Sequence, residues 1–217
     1  NGLSTNPFTW TRGNGNDNWN DPLNWQGGAV PTTNDIAYFT GIAVGNCSIN
    51  VDPNCLGIKI LNGYTGTITQ ANAMTLGVEG LIVYGGTFVG ASQAIISSGP
   101  IRQYGGAFTA TSGLMTIASQ GNTVETFCIK GGTAFTHNSG SIKVSGATNA
   151  IVNSIYRNEA ASLVTRNLNN FEMDSPGVLS GKMSLAGNFT RTQGTVLDAE
   201  VTLSGDYLPL AGGSSSS

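Results

Sequence analysis

The acidic side chains are the groups in this sequence best suited to catalysis, and the most favourable pair is Glu172 and Asp174. The two residues are two positions apart, so on a β-strand both carboxylates lie on the same face. With Arg157 or Arg166 they could supply the groups that polysaccharide lyases and hydrolases need. Such pairs are more often solvated ion pairs, and no G-x-S-x-G motif surrounds any serine. We therefore assign no catalytic residue and keep a polysaccharide-cleaving enzyme as an alternative.

Metal binding has one candidate stretch, where Asp17 and Asp21 lie among several asparagines. Oxygen-rich loops can hold calcium, but this stretch lacks the D-x-[DN]-x-[DN]-G order and is typical of plain turns. Zinc is not supported, because His137 is the only histidine. We assign no metal ligand and no cofactor, with calcium near Asp17 and Asp21 as the alternative.

Three cysteines allow one disulfide and leave one thiol. Cys47 and Cys55 flank the turn sequence Asp52-Pro53-Asn54. If the chain doubles back there, the two Cα atoms could approach to about 5.5 Å, as a disulfide requires. We predict a Cys47–Cys55 disulfide, the alternative being two small buried side chains, and we place Cys128 in the core.

A repeat of about twenty residues indicates the elements that position these groups. Gly85-Gly86-Thr87-Phe88 recurs as Gly105-Gly106-Ala107-Phe108, and each copy follows a β-prone run. Short strands separated by glycine turns at this period are typical of stacked coils, in which each coil buries its apolar face against the next. We predict an all-β protein, a right-handed parallel β-solenoid over residues 42–210.

Alternate residues of stacked strands face inward and meet their equivalents in the next coil. The repeat therefore predicts that Phe88 lies over Phe108. A second pattern, apolar-x-apolar-x-Gly-x-aromatic, occurs twice at an offset of eighteen residues and predicts that Phe189 lies over Tyr207.

All three tryptophans, Trp10, Trp19 and Trp25, lie in the turn-rich segment 1–41. The end of a solenoid exposes unpaired strands and an open core that must be covered. Because tryptophan buries so much area, we interpret the segment as an N-terminal cap. The alternative is an aromatic platform for a sugar ring.

The stretch 147–176 contains no glycine, in a chain with 31 glycines. We interpret it as an insertion in the solenoid, either an ordinary solvated loop or a contact surface on a rigid scaffold. The residues of that possible surface are Arg157, Glu159, Arg166, Glu172 and Asp174. Residues 211–217 are a Gly/Ser tail with the composition of a flexible linker.

Charged residues make up 10% of the 217-residue chain, against about 25% in ordinary soluble domains. The net charge of −3 and the lack of a basic stripe exclude nucleic acid as a partner. No apolar run reaches the about 18 residues that a membrane-spanning helix needs. The low charge and frequent Asn, Ser and Thr favour an extracellular or cell-surface location.

Two motifs carry a resemblance to bacterial right-handed parallel β-helix surface proteins, including autotransporter-passenger-like and adhesin-like repeat proteins. The first is the opening pattern of Trp10, Trp19, Trp25, Pro31, Asp35 and Phe39. The second is the ladder of Gly-Gly-Thr-Phe and Gly-Asn-Phe-Thr units. The resemblance implies an extracellular structural or adhesive role.

We therefore expect an extracellular structural or adhesive protein that self-associates into a fibre, sheath or stalk. Its expected partners are further copies of itself or other surface proteins, and glycans are a further candidate. A carbohydrate-binding module that uses the tryptophan segment is the main alternative.

Overall fold

The computed structural model describes residues 8–118, 120, 125–130, 133–146, 150–153, 166–193 and 195–209. In these ranges the chain is all-β, with one short 3-10 helix at Pro22–Asn24. The strands are β1 (Ile36–Phe39), β2 (Cys47–Ile49), β3 (Cys55–Ile60), β4 (Thr67–Gln70), β5 (Met74–Val83), β6 (Thr87–Val89), β7 (Ile95–Ser97), β8 (Ile101–Gln103), β9 (Ala107–Thr109), β10 (Leu114–Ala118), β11 (Glu125–Ile129), β12 (Ala134–Thr136), β13 (Ser141–Ser145), β14 (Ala150–Asn153), β15 (Arg166–Leu168), β16 (Asn170–Asp174), β17 (Gly177–Leu185), β18 (Phe189–Arg191), β19 (Thr195–Leu203) and β20 (Tyr207–Pro209).

These strands pair in parallel and form two sheets, of fifteen and five strands. Three ladders can be followed through them. The first ladder is β1, β3, β5, β8, β11, β14, β17 and β19; the second is β5, β7, β10, β13, β16, β18 and β20; the third is the five-stranded sheet of β2, β4, β6, β9 and β12. The fifteenth strand of the large sheet, β15, pairs with the last residues of β17. The long strand β5 gives its first half to the second ladder and its last residues to the first, which joins the two into one sheet.

From β4 to β14 the chain visits the third, second and first ladders in that order and then begins again. We call one such cycle a pass, and measure its length between residues that pair in the same ladder. One pass takes twenty residues where Phe88 opposes Phe108. It takes twenty-nine where Ile142 opposes Phe171 and eighteen where Phe171 opposes Phe189. The length of a pass therefore varies while the parallel pairing is kept.

Strand alternation decides which residues form the core. In β13 the burial alternates along the strand, with Ile142 and Val144 inside. The inward residues of neighbouring strands meet in register, as Ile58, Leu81 and Ile101 do in the first ladder. A three-residue strand has too little surface to bury its own apolar side, so the core depends on contact between passes. Each Å² of apolar surface buried in this contact stabilises the fold by about 25 cal/mol.

The paired glycines of the repeat form stacked turns. Gly86 and Gly106 have φ angles of 59° and 62°, in the left-handed region that favours glycine. A β-carbon on Gly106 would lie 2.4 Å from the carbonyl oxygen of Gly86, because the two turns lie one above the other. The second glycine of the motif is therefore required both by its own backbone and by the turn beneath it.

The described strands modify two of the expected boundaries. β1 lies within segment 1–41 and already pairs with β3, so the parallel ladder begins before residue 42. The glycine-free stretch 147–176 contributes β14, β15 and β16 to the parallel sheet, and is not simply a loop added to it. Its residues 154–165 and the tail 211–217 lie outside the described residues. In the part of the chain that the structure describes, no helix has the length and apolarity needed to span a membrane.

Replacing Gly106 with alanine should lower the free energy of unfolding by about 3 kcal/mol, through left-handed strain and overpacking against Gly86. Gly15 is the matched control, because its φ is 72° but no atom lies within 4 Å of a β-carbon there. Gly15→Ala should cost only about 1 kcal/mol, the strain alone. Denaturant unfolding measures both, and equal losses would show that the stacked turns relax without penalty.

Candidate functional site

The three tryptophans form a buried aromatic cluster at the start of the sheets. Trp10 and Trp19 are 0% exposed and Trp25 is 2% exposed. The ring of Trp25 meets those of Trp10 and Trp19 edge-on, at centroid distances of 5.2 and 4.7 Å. All three rings lie 5.8–6.1 Å from Phe39 of β1. The rings thus cover the first core residues and leave no face for a sugar to stack on.

The same segment satisfies the edges of the first strands. The backbone N–H of Trp10 donates to the carbonyl of Tyr38 in β1, at 2.8 Å. The N–H of Trp19 donates to the carbonyl of Ser48 in β2, at 2.9 Å, and the N–H of Ser48 donates to the carbonyl of Asp17. The tryptophan segment therefore pairs with both sheets at once, which is how an exposed edge is protected from other chains.

Asp17 and Asp21 are engaged in the loop structure of this segment. Asp17 accepts from Arg12 Nε at 2.7 Å, and Asp21 accepts from the side-chain amides of Asn14 and Asn16, both at 2.7 Å. The hydrogen bond from Asn14, followed by that from Asn16, lowers the pKa of Asp21. Among the described residues, no group of three His, Cys, Asp or Glu side chains is placed to hold a metal. A calcium ion at Asp21 would have to displace these amide donors.

The predicted Cys47–Cys55 disulfide is not formed. Both cysteines are buried thiols, Cys47 in β2 of the five-stranded sheet and Cys55 in β3 of the fifteen-stranded sheet. The turn at Asp52-Pro53-Asn54 does not return the chain on itself; it carries the chain from one sheet to the other. Burial raises the pKa of the Cys55 thiol to about 12, so it stays protonated. Cys128 is buried in β11.

Glu172 and Asp174 lie on the outward face of β16, and a lysine binds both. Lys143 of the neighbouring strand β13 places Nζ 2.8 Å from Glu172 Oε1 and 2.9 Å from Asp174 Oδ2. The hydrogen bond from Thr192, and then that from Lys143, lowers the pKa of Asp174. Both carboxylates thus belong to one ion-pair cluster with Lys143, and the lowered pKa of Asp174 is the opposite of what a general acid needs.

Of the other residues of the predicted contact surface, the structure describes only the backbone of Arg166. Arg157 and Glu159 lie outside the described residues. The backbone of Arg166 belongs to β15, which pairs with β17 and not with β16. Lys143 is the cation that binds Glu172 and Asp174. It lies twenty-nine positions before Glu172, on the neighbouring strand of the second ladder.

Phe88, Phe108 and Phe189 of the repeat aromatics are buried. Phe88 and Phe108 stack with ring centroids 5.1 Å apart, and Phe135 continues the row at 5.8 Å. Phe189 stands opposite Tyr207 in the register of β18 and β20, although the side chain of Tyr207 lies outside the described part. The row of Phe88, Phe108 and Phe135 is therefore core packing.

A second aromatic pair, which the sequence analysis did not single out, faces outward. Tyr84 and Tyr104 stack with centroids 5.2 Å apart, and 39% of Tyr84 is exposed. With Asn62 and Lys130 they line a surface hollow of about 380 Å³. The sequence could have predicted that these tyrosines stack, because they are twenty residues apart, as Phe88 and Phe108 are.

Comparison with known protein families, curated proteins and solved structures found no match to this chain. The fold and sites define it as an all-β protein of long parallel sheets, with an aromatic cluster over the first strands.

Replacing Trp19 with alanine should destabilise the fold by about 3–5 kcal/mol, because it removes a fully buried ring that packs on Trp25 and Phe39. Leu23, 62% exposed in the same segment, is the control, and Leu23→Ala should change stability by at most about 0.5 kcal/mol. Urea unfolding followed by tryptophan fluorescence gives both values. A Trp19→Ala protein as stable as the Leu23→Ala protein would show that the cluster is not a cap.

The Lys143 cluster should make stability depend on acidity. The folded pKa of Asp174 lies below its ordinary value of 3.8, so its contribution is present above about pH 4 and is lost as pH falls through the folded pKa. Asp174→Asn should therefore cost about 1 kcal/mol at pH 7 and progressively less as the pH falls below about 4. Asp206→Asn, an exposed aspartate in the chain's last described turn, is the control. A loss for Asp174→Asn that is the same at both pH values would contradict this assignment.

Proposed function

We propose that this chain is an extracellular structural or adhesive surface protein, a right-handed parallel β-solenoid that self-associates by extending its own stack. From β4 to β14 the chain visits the three parallel ladders in one fixed order, and this order supports the solenoid. The right-handed sense is that of nearly all connections between parallel strands of one sheet.

One observation carries the proposed self-association: the strands at the start of the ladders are covered by another segment, whereas the last described strands each pair on one edge only. The first strands are covered by the hydrogen-bonded tryptophan segment. Within the described residues, β19 pairs only with β17, and β20 pairs only with β18. An unpaired edge of this kind is a template for another parallel strand.

Composition supports the same conclusion. Strands β19 and β20 contain no lysine, the residue that most often blunts an exposed edge. The net charge of −3 provides little electrostatic repulsion between copies. The abundance of Asn, Ser and Thr at low charge is what supports the extracellular location.

The residues that best supported a carbohydrate-binding module or a polysaccharide-cleaving enzyme are engaged in other contacts. A binding module built on the tryptophan segment would need exposed rings, and these rings are buried. An enzyme built on Glu172 and Asp174 would need one carboxyl tuned as a general acid, and both carboxylates bind Lys143.

Thr202→Lys should weaken self-association by about tenfold, or about 1.4 kcal/mol, because it places a charge on the open strand β19. Thr202 is exposed, opposite Ser184 of β17. The control is Thr69→Lys, which adds the same charge at an exposed position of β4, a strand paired on both edges. Sedimentation velocity and electron microscopy across concentration would measure the association of each protein.

The wild-type protein should form larger particles as its concentration rises, and the Thr69→Lys protein should match it. A strictly monomeric wild type, or equal effects of the two lysines, would contradict the proposal. Cleavage of an acidic polysaccharide by a monomeric particle would favour the enzyme alternative.

A further inference from the structure

Two Asn-Gly pairs lie in the described part of the chain, Asn14-Gly15 in the tryptophan segment and Asn62-Gly63 in the turn between β3 and β4. An asparagine before a glycine can react with its own backbone, because no side chain on the glycine obstructs the approach of the glycine nitrogen to the asparagine amide. Both asparagines are exposed, and the φ angles of Gly15 and Gly63 are 72° and 97°. Sequence, exposure and the hand of the backbone therefore do not distinguish the two pairs.

Hydrogen bonds hold the first pair in place. The Asn14 side-chain Nδ2 donates to Asp21 Oδ2 at 2.7 Å, and the Asn14 backbone N–H donates to Asn24 Oδ1 at 3.1 Å. The N–H of Gly15 donates to the carbonyl of Arg12 at 2.9 Å. The nitrogen that would attack and the amide that would be attacked are thus both engaged.

The second pair lacks these restraints. Its turn is closed by the N–H of Tyr64, which donates to the carbonyl of Leu61 at 3.2 Å and passes over the two residues between them. Among the described residues, no group accepts from the N–H of Gly63 and none bonds to the side-chain amide of Asn62. Asn62 also lines the surface hollow at Tyr84, so water reaches its amide.

We propose that Asn62 is a site of spontaneous deamidation, and that the fold protects Asn14 from the same reaction. The Gly63 nitrogen gives up its proton to solvent hydroxide and forms a bond to Cγ of Asn62, and the side-chain nitrogen leaves as ammonia. The product is a cyclic imide. Water then opens this ring at either carbonyl and leaves an aspartate or an isoaspartate. Only water and hydroxide take part besides the chain itself.

The reaction changes both the charge and the geometry of the turn. Each product adds a carboxylate to a chain whose net charge is −3. Isoaspartate also carries the main chain through the former side chain, which lengthens the backbone by one carbon atom. A β-carbon on Gly41 would lie 3.3 Å from the carbonyl oxygen of Gly63, so this turn lies close to the connection between β1 and β2. We therefore expect isoaspartate at position 62 to displace the turn and weaken its packing on that connection.

This inference goes beyond the proposed self-association and does not depend on it, because the reaction takes place within one copy of the chain. Incubation of the full-length folded protein, followed by digestion at acidic pH and peptide mass spectrometry, measures the reaction at each asparagine. Asn62 should convert at least about tenfold faster than Asn14, because the hydrogen bonds of Asn14 and Gly15 must break before that pair can react. The rate at Asn62 should rise with pH, since the attacking nitrogen has to lose its proton.

Two controls separate the effect of the fold from that of the local sequence. In urea the hydrogen bonds of the first pair are absent, so Asn14 and Asn62 should convert at comparable rates. Asn62→Gln lengthens the side chain by one methylene, so the same attack would have to close a larger ring. The Asn62→Gln protein should therefore lack the main acidic species that ion exchange separates from the aged wild type.

The structural consequence has its own measurement. The isoaspartate form, purified by ion exchange, should unfold at a lower temperature than an Asn62→Asp protein, which has the same charge and an ordinary backbone. Equal unfolding temperatures would contradict the expected displacement of the turn. Conversion of Asn14 as fast as that of Asn62 in the folded protein would overturn the site, and a rate difference that persists in urea would overturn the protection by the fold.

Discussion

Contact between equivalent inward positions of neighbouring parallel strands holds this structure together. Each strand in the rows Ile58–Leu81–Ile101 and Phe88–Phe108 contributes one apolar side chain per position, which stands in register with its equivalents in the neighbouring strands. The stability of each pass is therefore conditional on its neighbours. The stacked glycine turns follow from the same constraint, because strands in register bring their turns together as well.

A structure that depends on neighbours has a difficulty at its first strand, which has a neighbour on one side only. The tryptophan segment supplies both missing parts: three large rings lie against Phe39, and backbone groups pair with Tyr38 and Ser48. Among the described residues, the buried indole N–H groups of Trp10 and Trp19 find no hydrogen-bond partner. Leaving a buried donor unsatisfied costs about 1–3 kcal/mol each, which the packing of the rings has to offset.

The all-β class, the parallel sheets and the pairing of Phe88 with Phe108 could be predicted, because a twenty-residue period expresses the contact between passes directly. The cysteines were misjudged, because spacing alone does not say that a turn such as Asp52-Pro53-Asn54 leads to another sheet. Lys143 was missed as the partner of Glu172 because the passes widen there to twenty-nine residues. Tyr84 shares the period of Phe88, and only its place in the strand alternation shows that it faces outward.

The pairing of the strands and the length of the chain between them vary independently in this structure. The second ladder keeps its parallel register across a pass of twenty-nine residues and the next pass of eighteen. Because doubling the length of a loop costs only about 0.6 kcal/mol in closure entropy, a corner can be lengthened at low thermodynamic cost. The chain is thus a repetitive scaffold whose connecting loops can change in length or sequence while the pairing of its strands stays the same.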